Sequence, residues 1–315
     1  MKLNTFIKNK INMTHQFQVK KILIPIDFSN TSKLALEHAA HLCKAFDSEL
    51  HLVHIYKTST IDVLPNLTAT SANLPDYQGL RDMVIEELDA VGKKFSEKHN
   101  IAYNIEVKEG SVSKGILATA KDCGADLIVM GTHGVSGFEE FFLGSNAYRA
   151  VTSSTVPVLT VQEQSDKMGF KNIVLPIDSS QHTRDKVSEA VALAEALGSK
   201  VHIAQLMRED DDAAIMNLKV KQIEEHLDHK SIAHQTTVIN NQNIAQATLD
   251  FAKKVEGDLI VIMTDQENYT GFFVGEYAQQ IVNHSKIPVL NVTPIGIVKG
   301  FSQSQLGGDY KPFYL

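Results

Sequence analysis

The sequence predicts an α/β protein of two tandem, doubly wound parallel-sheet domains with a Rossmann-like layout. Three observations support this prediction: the chain repeats itself once, each repeat alternates strand-like and helical patterns, and the length suits two domains. A chain of 315 residues has room for two domains of roughly 150 residues each. An apolar fraction of 43% and a charged fraction of 21% are ordinary for a globular chain with buried cores.

The internal repeat consists of four segments that recur in the same order. The pairs are KILIPIDFS (21–29) with NIVLPIDSS (172–180), ELHLVHIY (49–56) with KVHIAQLM (200–207), ADLIVMGT (125–132) with GDLIVIMT (257–264), and FFLGSNAYRAVTSSTVPVLTV (141–161) with FFVGEYAQQIVNHSKIPVLNV (272–292). We therefore expect a first domain at 19–161 and a second domain at 172–294, joined by a linker at 162–171. Residues 1–18 are expected to form a disordered leader, or to reflect an upstream start ahead of Met13, and residues 295–315 a C-terminal tail.

Strand and helix patterns alternate along each repeat. In the first repeat, strands are expected at 22–24, 50–55, 103–110, 126–130 and 157–161, and helices at 34–46, 80–99, 113–123 and from about Ser145. The first strand, 22–24, is a continuous apolar run, as expected when helices cover both faces of a parallel sheet. The third, YNIEVKEG (103–110), has an alternating pattern. Residues 57–79 have no clear period and predict a long loop that is functional or disordered.

Charge, cysteines and hydropathy exclude several classes of protein. The net charge of −7 argues against a nucleic-acid partner. No apolar run reaches the roughly 18 residues of a membrane span, and the N-terminus lacks the apolar core of a secretory signal. Cys43 and Cys123 form no CxxC pair, so both are expected to be reduced. These features predict a cytoplasmic protein without a membrane partner.

Glycines follow the fourth strand of the first repeat. Gly131 directly follows the apolar run LIVM, and Gly134 comes three residues later. Gly144 and Ser145 stand at the start of the next helix. Ligands of open parallel sheets bind beyond the carboxyl ends of the strands. Glycine lets the backbone approach a ligand, and a helix N-terminus favours phosphate. The alternative is that the glycines only turn the chain between strand and helix.

The same residues resemble the nucleotide-binding signature of the universal stress protein family, G-x2-G-x9-G-S. KILIPIDFSNTSKLALEHA, LHLVHI, GADLIVMGTHG and VPVLTV are also similar to segments of that family. The resemblance covers most of 19–161 and, more weakly, 172–292. It implies the adenine-nucleotide alpha-hydrolase-like variant of the Rossmann layout.

The resemblance implies an ATP site in the first domain, with Mg²⁺ or Mn²⁺ on the phosphates. The implied positions are Pro25, Ile26 and Asp27 after the first strand, Ile55 at the adenine, Met130, Gly131, His133 and Gly134 around the ribose and α-phosphate, and Gly144, Ser145 and Asn146 at the outer phosphates. For Asp27 the alternative is a cap on the first helix, and for His133 an exposed loop position.

The second repeat keeps Asp178 but loses most of the glycines. Gly275 stands at the place of Gly144, and Glu276 replaces Ser145. A carboxylate at this helix start repels a phosphate. We therefore expect one ATP per chain, bound by the first repeat.

Three classes of function fit these features. The first is a nucleotide-dependent stress-response or signalling module. The alternatives are a slow ATPase or nucleotidyl-transfer enzyme, and a nucleotide-free dimerising scaffold. The chain has no GxxxxGK[ST] phosphate loop, and few cations lie near its glycines, so developing phosphoryl charge has little stabilisation. We expect at most weak ATP hydrolysis, no catalytic residue and no metal site made by protein ligands.

Each repeat ends in an apolar strand, VPVLTV or IPVLNV. Such a strand at the edge of a sheet invites pairing, and the family resemblance implies dimerisation through it. We expect strand 157–161 beside strand 288–292 in an intramolecular pseudo-dimer of the two repeats. Further homodimerisation is left open.

Overall fold

The structure, a computed structural model, describes residues 17–56, 77–132, 144–165, 167–180, 182–264 and 276–293. The strands are β1 (Lys21–Pro25), β2 (Glu49–Tyr56), β3 (Tyr103–Glu109), β4 (Leu127–Gly131), β5 (Val158–Val161), β6 (Asn172–Ile177), β7 (Lys200–Met207), β8 (His234–Asn240), β9 (Leu259–Met263) and β10 (Val289–Val292). The helices are α1 (Asn30–Phe46), α2 (Tyr77–His99), α3 (Val112–Cys123), α4 (Ser145–Ser153), α5 (Val187–Leu197), α6 (Ala213–His229), α7 (Ile244–Lys254) and α8 (Glu276–His284). The α/β class and the alternation predicted from the sequence are confirmed.

Some sequence predictions lie outside the described residues. They include most of the leader, all of the C-terminal tail and the loop predicted at 57–79 up to residue 76. Helix α2 begins at Tyr77, slightly before the predicted start at residue 80. The amide of Gln78 donates to Asp82 Oδ1 at 2.9 Å, one turn later, and this contact supports the earlier turn.

One ten-stranded sheet runs through both repeats, in the order β3-β2-β1-β4-β5-β10-β9-β6-β7-β8. Within each repeat the strands are parallel. The strand order reverses between β1 and β4, and again between β6 and β9. In doubly wound sheets this reversal is where a ligand crevice forms.

Helices cover both faces of the sheet. Helices α1, α2, α5 and α6 pack on one face, and α3, α4, α7 and α8 on the other. In β1, Ile22 and Ile24 point into the first core and Leu23 into the second. All three are fully buried, which explains why the strand is an unbroken apolar run.

The two repeats join where β5 pairs antiparallel with β10. Leu159 is opposite Leu290, with Thr160 opposite Val289 and Val158 opposite Asn291. Leu159 and Leu290 occupy the same place in the two repeats, so the pairing is symmetric about this leucine pair. The predicted adjacency of the two last strands is confirmed.

The segment predicted as a linker is packed into the junction. His38 of α1 donates from Nε2 to the carbonyl of Ser165 at 2.8 Å. The hydroxyl of Ser165 donates to the carbonyl of Lys286, in the second repeat, at 3.3 Å. Phe170 is fully buried and stacks on the His38 ring with centroids 5.4 Å apart. The segment therefore contacts both repeats.

Buried histidines should make the protein less stable in mild acid. Burial lowers the pKa of His38, and the nearby charge of His41 acts in the same direction. Burial also lowers the pKa of His54 and of His202. An unfolded histidine has a pKa of about 6.5, so the unfolded chain binds more protons as the pH falls below that value. The free energy of unfolding should then drop by up to about 1.4 kcal/mol per pH unit for each such histidine.

The test is urea unfolding of the wild type and of His38→Gln at several pH values below 7. His38→Gln should show a shallower loss of stability with falling pH, because one buried imidazole is gone. His229→Gln, at an exposed position on α6, should keep the wild-type slope. An equal slope in wild type and His38→Gln would contradict the explanation.

The leucine pair at the junction should be costly to truncate. Leu290 is 2% exposed and, with Leu159 and Phe170, lines a small apolar cavity of about 10 Å³. Leu290→Ala should lower the free energy of unfolding by about 2–5 kcal/mol, because the cavity grows. Leu159→Ala should cost a similar amount, and the double variant less than the sum, since the two side chains pack together. Losses below about 1 kcal/mol in urea titrations would contradict this role.

Candidate functional site

The candidate site is the crevice at the carboxyl ends of β1 and β4, where the strand order reverses. Asp27 follows β1, and Gly131 ends β4. The two strands are neighbours, with Leu23 opposite Ile128. A Cβ atom on Gly131 would lie 3.0 Å from the side chain of Thr31, in the first turn of α1. Glycine therefore lets the end of β4 approach the start of α1 closely.

Asp27 orients the residue that caps α1. Its Oδ1 accepts from the backbone N–H of Ser29 at 3.1 Å and from the Ser29 hydroxyl at 2.6 Å. The Ser29 hydroxyl oxygen in turn accepts from the N–H of Ser32 at 3.1 Å. The N-cap of α1 is therefore Ser29 and not Asp27. Asp27 is half-buried in this turn.

His54 fixes the backbone just before Asp27, a role that the sequence analysis missed. Its Nδ1 donates to the carbonyl of Ile26 at 2.7 Å, and the N–H of Ile26 donates to Val53 O at 2.8 Å. Phe28, which has a φ of +64°, packs its ring 4.8 Å from the His54 ring. Burial lowers the pKa of His54. The only signal in the sequence was a polar residue inside the apolar run LVHI.

Ile55 presents its backbone toward the crevice. In parallel strands, the N–H and C=O of alternate residues point to the same neighbour. Val53 bonds to the β1 side through Ile26, so Ile55 points to that side too. Strand β1 ends at Pro25, opposite Val53, and does not reach Ile55. The side chain of Ile55 is 8% exposed and packs against α3, where a Cβ on Gly115 would lie 2.9 Å from it.

Thr132 connects the end of β4 to both β5 and the start of α4. The N–H of Thr132 donates to Val161 O at 3.0 Å, and the N–H of Gly144 donates to Thr132 O at 2.8 Å. Met130, just before, is 5% exposed. The predicted site residues His133 and Gly134 lie in 133–143, outside the described residues.

Gly144 is needed for packing as well as for any ligand. Its φ is −53°, which other residues adopt readily. A Cβ atom there would lie 2.8 Å from the carbonyl oxygen of Thr132. The glycine therefore permits the hydrogen bond that anchors the start of α4.

Helix α4 presents an exposed N-terminus to the crevice. It begins at Ser145, and both Ser145 and Asn146 are exposed. Gly144, the N-cap, supplies no side-chain hydrogen bond to the first turn. The free N–H groups of a first turn, with the positive end of the helix dipole, suit an anion such as phosphate.

The crevice of the second repeat keeps the aspartate turn. Asp178 Oδ1 accepts from the Ser180 N–H at 3.2 Å and from the Ser180 hydroxyl at 2.6 Å. Burial raises the pKa of Asp178, but the charge of the buried Lys186, with the bonds from Ser180 and Thr183, outweighs it and the pKa is lowered. Ala35, fully buried, stands at the place of Lys186 in the first repeat.

Other side chains occupy the second crevice differently. Lys219 of α6 donates from Nζ to the carbonyls of Ser179 and Ser180 at 3.0 and 3.1 Å. Glu276, at the start of α8, accepts from the Gln280 amide at 3.1 Å. Lys186 and Glu276 thus stand where the first repeat has Ala35 and Ser145. Gly275 is outside the described residues.

Metal ligation is not evident in the described ranges. These residues contain no group of three or more His, Cys, Asp or Glu side chains that could hold a metal ion. Nor does any helix among them have the length and apolar character to cross a membrane.

Comparison with known proteins identifies the family. The profile of the universal stress protein family matches residues 18–162 and 169–293. The chain belongs to the universal stress protein family. It contains two tandem family domains, which agrees with the internal repeat and with the single sheet that both repeats build.

Individual universal stress proteins match one or both domains. Universal stress protein MJ0531 of Methanocaldococcus jannaschii is 33% identical over 168 residues, which cover 51% of this chain and 89% of that protein. The crystal structure of a universal stress protein from Archaeoglobus fulgidus is 20% identical, with a TM-score of 0.71 over 88% of this chain and 99% of that chain. A universal stress protein solved in complex with cAMP is 18% identical over 45% of this chain and 97% of that chain, with a TM-score of 0.34.

Substitution of Gly144 should damage the protein before any ligand is added. Gly144→Ala places a Cβ against the Thr132 carbonyl, so α4 must shift. We expect a loss of about 1–3 kcal/mol in the free energy of unfolding without nucleotide. Ser145→Ala, at the next and exposed position, should stay within about 0.5 kcal/mol of wild type. Unchanged stability of Gly144→Ala in urea unfolding would show that a Cβ atom fits beside the Thr132 carbonyl without a shift of α4.

Proposed function

We propose that this protein is a cytoplasmic universal stress protein that binds ATP in the crevice of its first domain. It acts as a nucleotide-dependent module in stress response or signalling. The observation that carries the proposal is the exposed N-terminus of α4 at Ser145, which lies beside the end of β4 and has no side-chain cap. An anion is the natural ligand of such a helix end.

The other groups of the crevice suit the rest of the nucleotide. The backbone of Ile55 points past the end of β1 and offers hydrogen bonds to adenine. Asp27 lies at the nucleoside end, held by Ser29 and by the backbone that His54 fixes. In this proposal His133 and Gly134 surround the ribose and α-phosphate, and Ser145 and Asn146 bind the outer phosphates.

Binding, and not turnover, is the proposed activity. The described site residues are Pro25, Ile26, Asp27, Ile55, Met130, Gly131, Gly144, Ser145 and Asn146. None of them is a cation, so they supply little stabilisation to the charge that develops in phosphoryl transfer. The proposal assigns Mg²⁺ or Mn²⁺ to the phosphates of ATP, because the described residues offer no cluster of protein ligands.

We propose that the crevice of the second domain does not bind ATP. Lys219 already occupies carbonyls of the turn after β6, and Glu276 places a negative charge at the start of α8. We infer one ATP per chain. The second domain then serves as the intramolecular partner of the first, in a pseudo-dimer supported by the pairing of β5 with β10.

The test introduces into the first site the carboxylate that the second domain carries at Glu276. Ser145→Glu should weaken ATP binding at least tenfold relative to Ser145→Gln, because the two side chains differ mainly in charge and a like charge beside phosphate costs more than about 1.4 kcal/mol. Isothermal titration calorimetry measures both variants. The position is exposed, so both should keep the wild-type melting temperature. AMP, which lacks the outer phosphates, should discriminate less between them.

Each outcome has a defined meaning. Equal ATP affinity in Ser145→Glu and Ser145→Gln would refute the phosphate assignment. Two equivalent ATP sites per wild-type chain would refute the inactive second crevice. Rapid hydrolysis of labelled ATP with Mg²⁺ would favour the enzyme, and absence of any nucleotide binding would favour the scaffold.

A further inference from the structure

The two edges of the described sheet differ in charge. Strand β3 lies at one edge and β8 at the other, and each is the third strand of its domain. Strand β3 carries Glu106, Lys108 and Glu109, and Lys108 lies 3.0 Å from Glu106. Strand β8, HQTTVIN, contains no Asp, Glu, Lys or Arg. Charged residues on an edge strand normally prevent pairing with another chain, so only β3 is protected in this way.

Two exposed apolar side chains lie on the elements of the β8 edge. Among the described residues, the exposed large hydrophobic side chains are Val238 of β8 at 55%, and Ile215 and Leu218 of α6 at 51% and 44%. Leu218 and Val238 belong to the two elements of this edge, whereas Ile215 lines a cavity beside Ser179 at the second crevice. We call Leu218, Val238 and strand β8 the edge surface.

The first domain covers the matching position. Val107 pairs with His54 of β2 as Val238 pairs with Gln205 of β7, at the same place in each strand. Val107 packs in a cluster that includes Leu80, from the first turn of α2. Helix α6 is shorter, with 17 residues against 23, and Asp212 caps it. The shorter helix leaves Val238 uncovered by described residues.

We propose that strand β8 pairs antiparallel with β8 of a second copy of this chain, so that one sheet continues through a two-fold dimer. This surface is separate from the β5–β10 junction, whose strands already pair within the chain. Outward N–H and C=O groups of β8 would be satisfied by the partner strand. The apolar side chains of the edge surface would be covered at the same time.

The charge pattern favours a second copy as the partner. A two-fold axis brings each residue near its own copy, so any charge on β8 would face a like charge. Strand β8 has none. On α6, Lys221 and Glu225 are exposed and lie on the same side as Leu218 by helical spacing. Two antiparallel α6 helices would therefore present opposite charges to each other.

The test uses charge reversal at Val238. With the seven residues of β8 paired about Thr237, the two copies of residue 238 lie about 7–8 Å apart. Val238→Lys or Val238→Glu should each raise the dimer dissociation constant at least tenfold, because like charges repel. An equimolar mixture of the two variants should restore the dimer, since opposite charges then meet. Sedimentation equilibrium of the full chain measures each sample.

Controls separate the edge surface from other causes. Asn104→Lys places the same charge on exposed β3, at the strand position that Gln235 has in β8, and should leave the dimer intact. At concentrations where every protein is monomeric, the variants should have the same melting temperature as the wild type, because Val238 is exposed. The proposal is overturned if the wild type is monomeric, if Val238→Lys stays dimeric, or if the mixture of variants stays monomeric.

Discussion

The antiparallel pairing of β5 with β10 is the contact on which the rest of the molecule depends. It joins two five-stranded halves into one ten-stranded sheet, and both cores run across it. Because β10 runs antiparallel to β5, the carboxyl ends of the strands in the two halves point in opposite directions. The two crevices therefore lie at opposite ends of the molecule.

The first crevice is directly continuous with this junction. Thr132, at the crevice, donates to Val161 O, the last residue of β5. Four residues after Val161, Ser165 accepts from His38 and donates to the carbonyl of Lys286 in the second domain. A ligand at the end of β4 would therefore act on backbone that holds both domains. This short path gives the second domain a structural role in a protein whose proposed nucleotide site is in the first.

The sequence predicted the order of elements and the junction because these depend on local patterns. Apolar runs marked the buried strands, and the repeated VPVLTV and IPVLNV marked the pairing edges. Contacts through space were missed. No local pattern shows that His54 bonds the Ile26 carbonyl, or that Gly144 is confined by Thr132. The packed segment around Ser165 was interpreted as a plain linker because its polar composition hides how it is held.

Differential scanning calorimetry with and without ATP tests the central claim, a single folded unit with one nucleotide site, most directly. The shared sheet and continuous cores predict one cooperative transition, with calorimetric and van't Hoff enthalpies in agreement. ATP at 100 times its dissociation constant should move that whole transition upward, as expected for about 2.7 kcal/mol of added stability. Two separate transitions, of which ATP moves only one, would contradict the single unit. No shift at saturating ATP would contradict the nucleotide site.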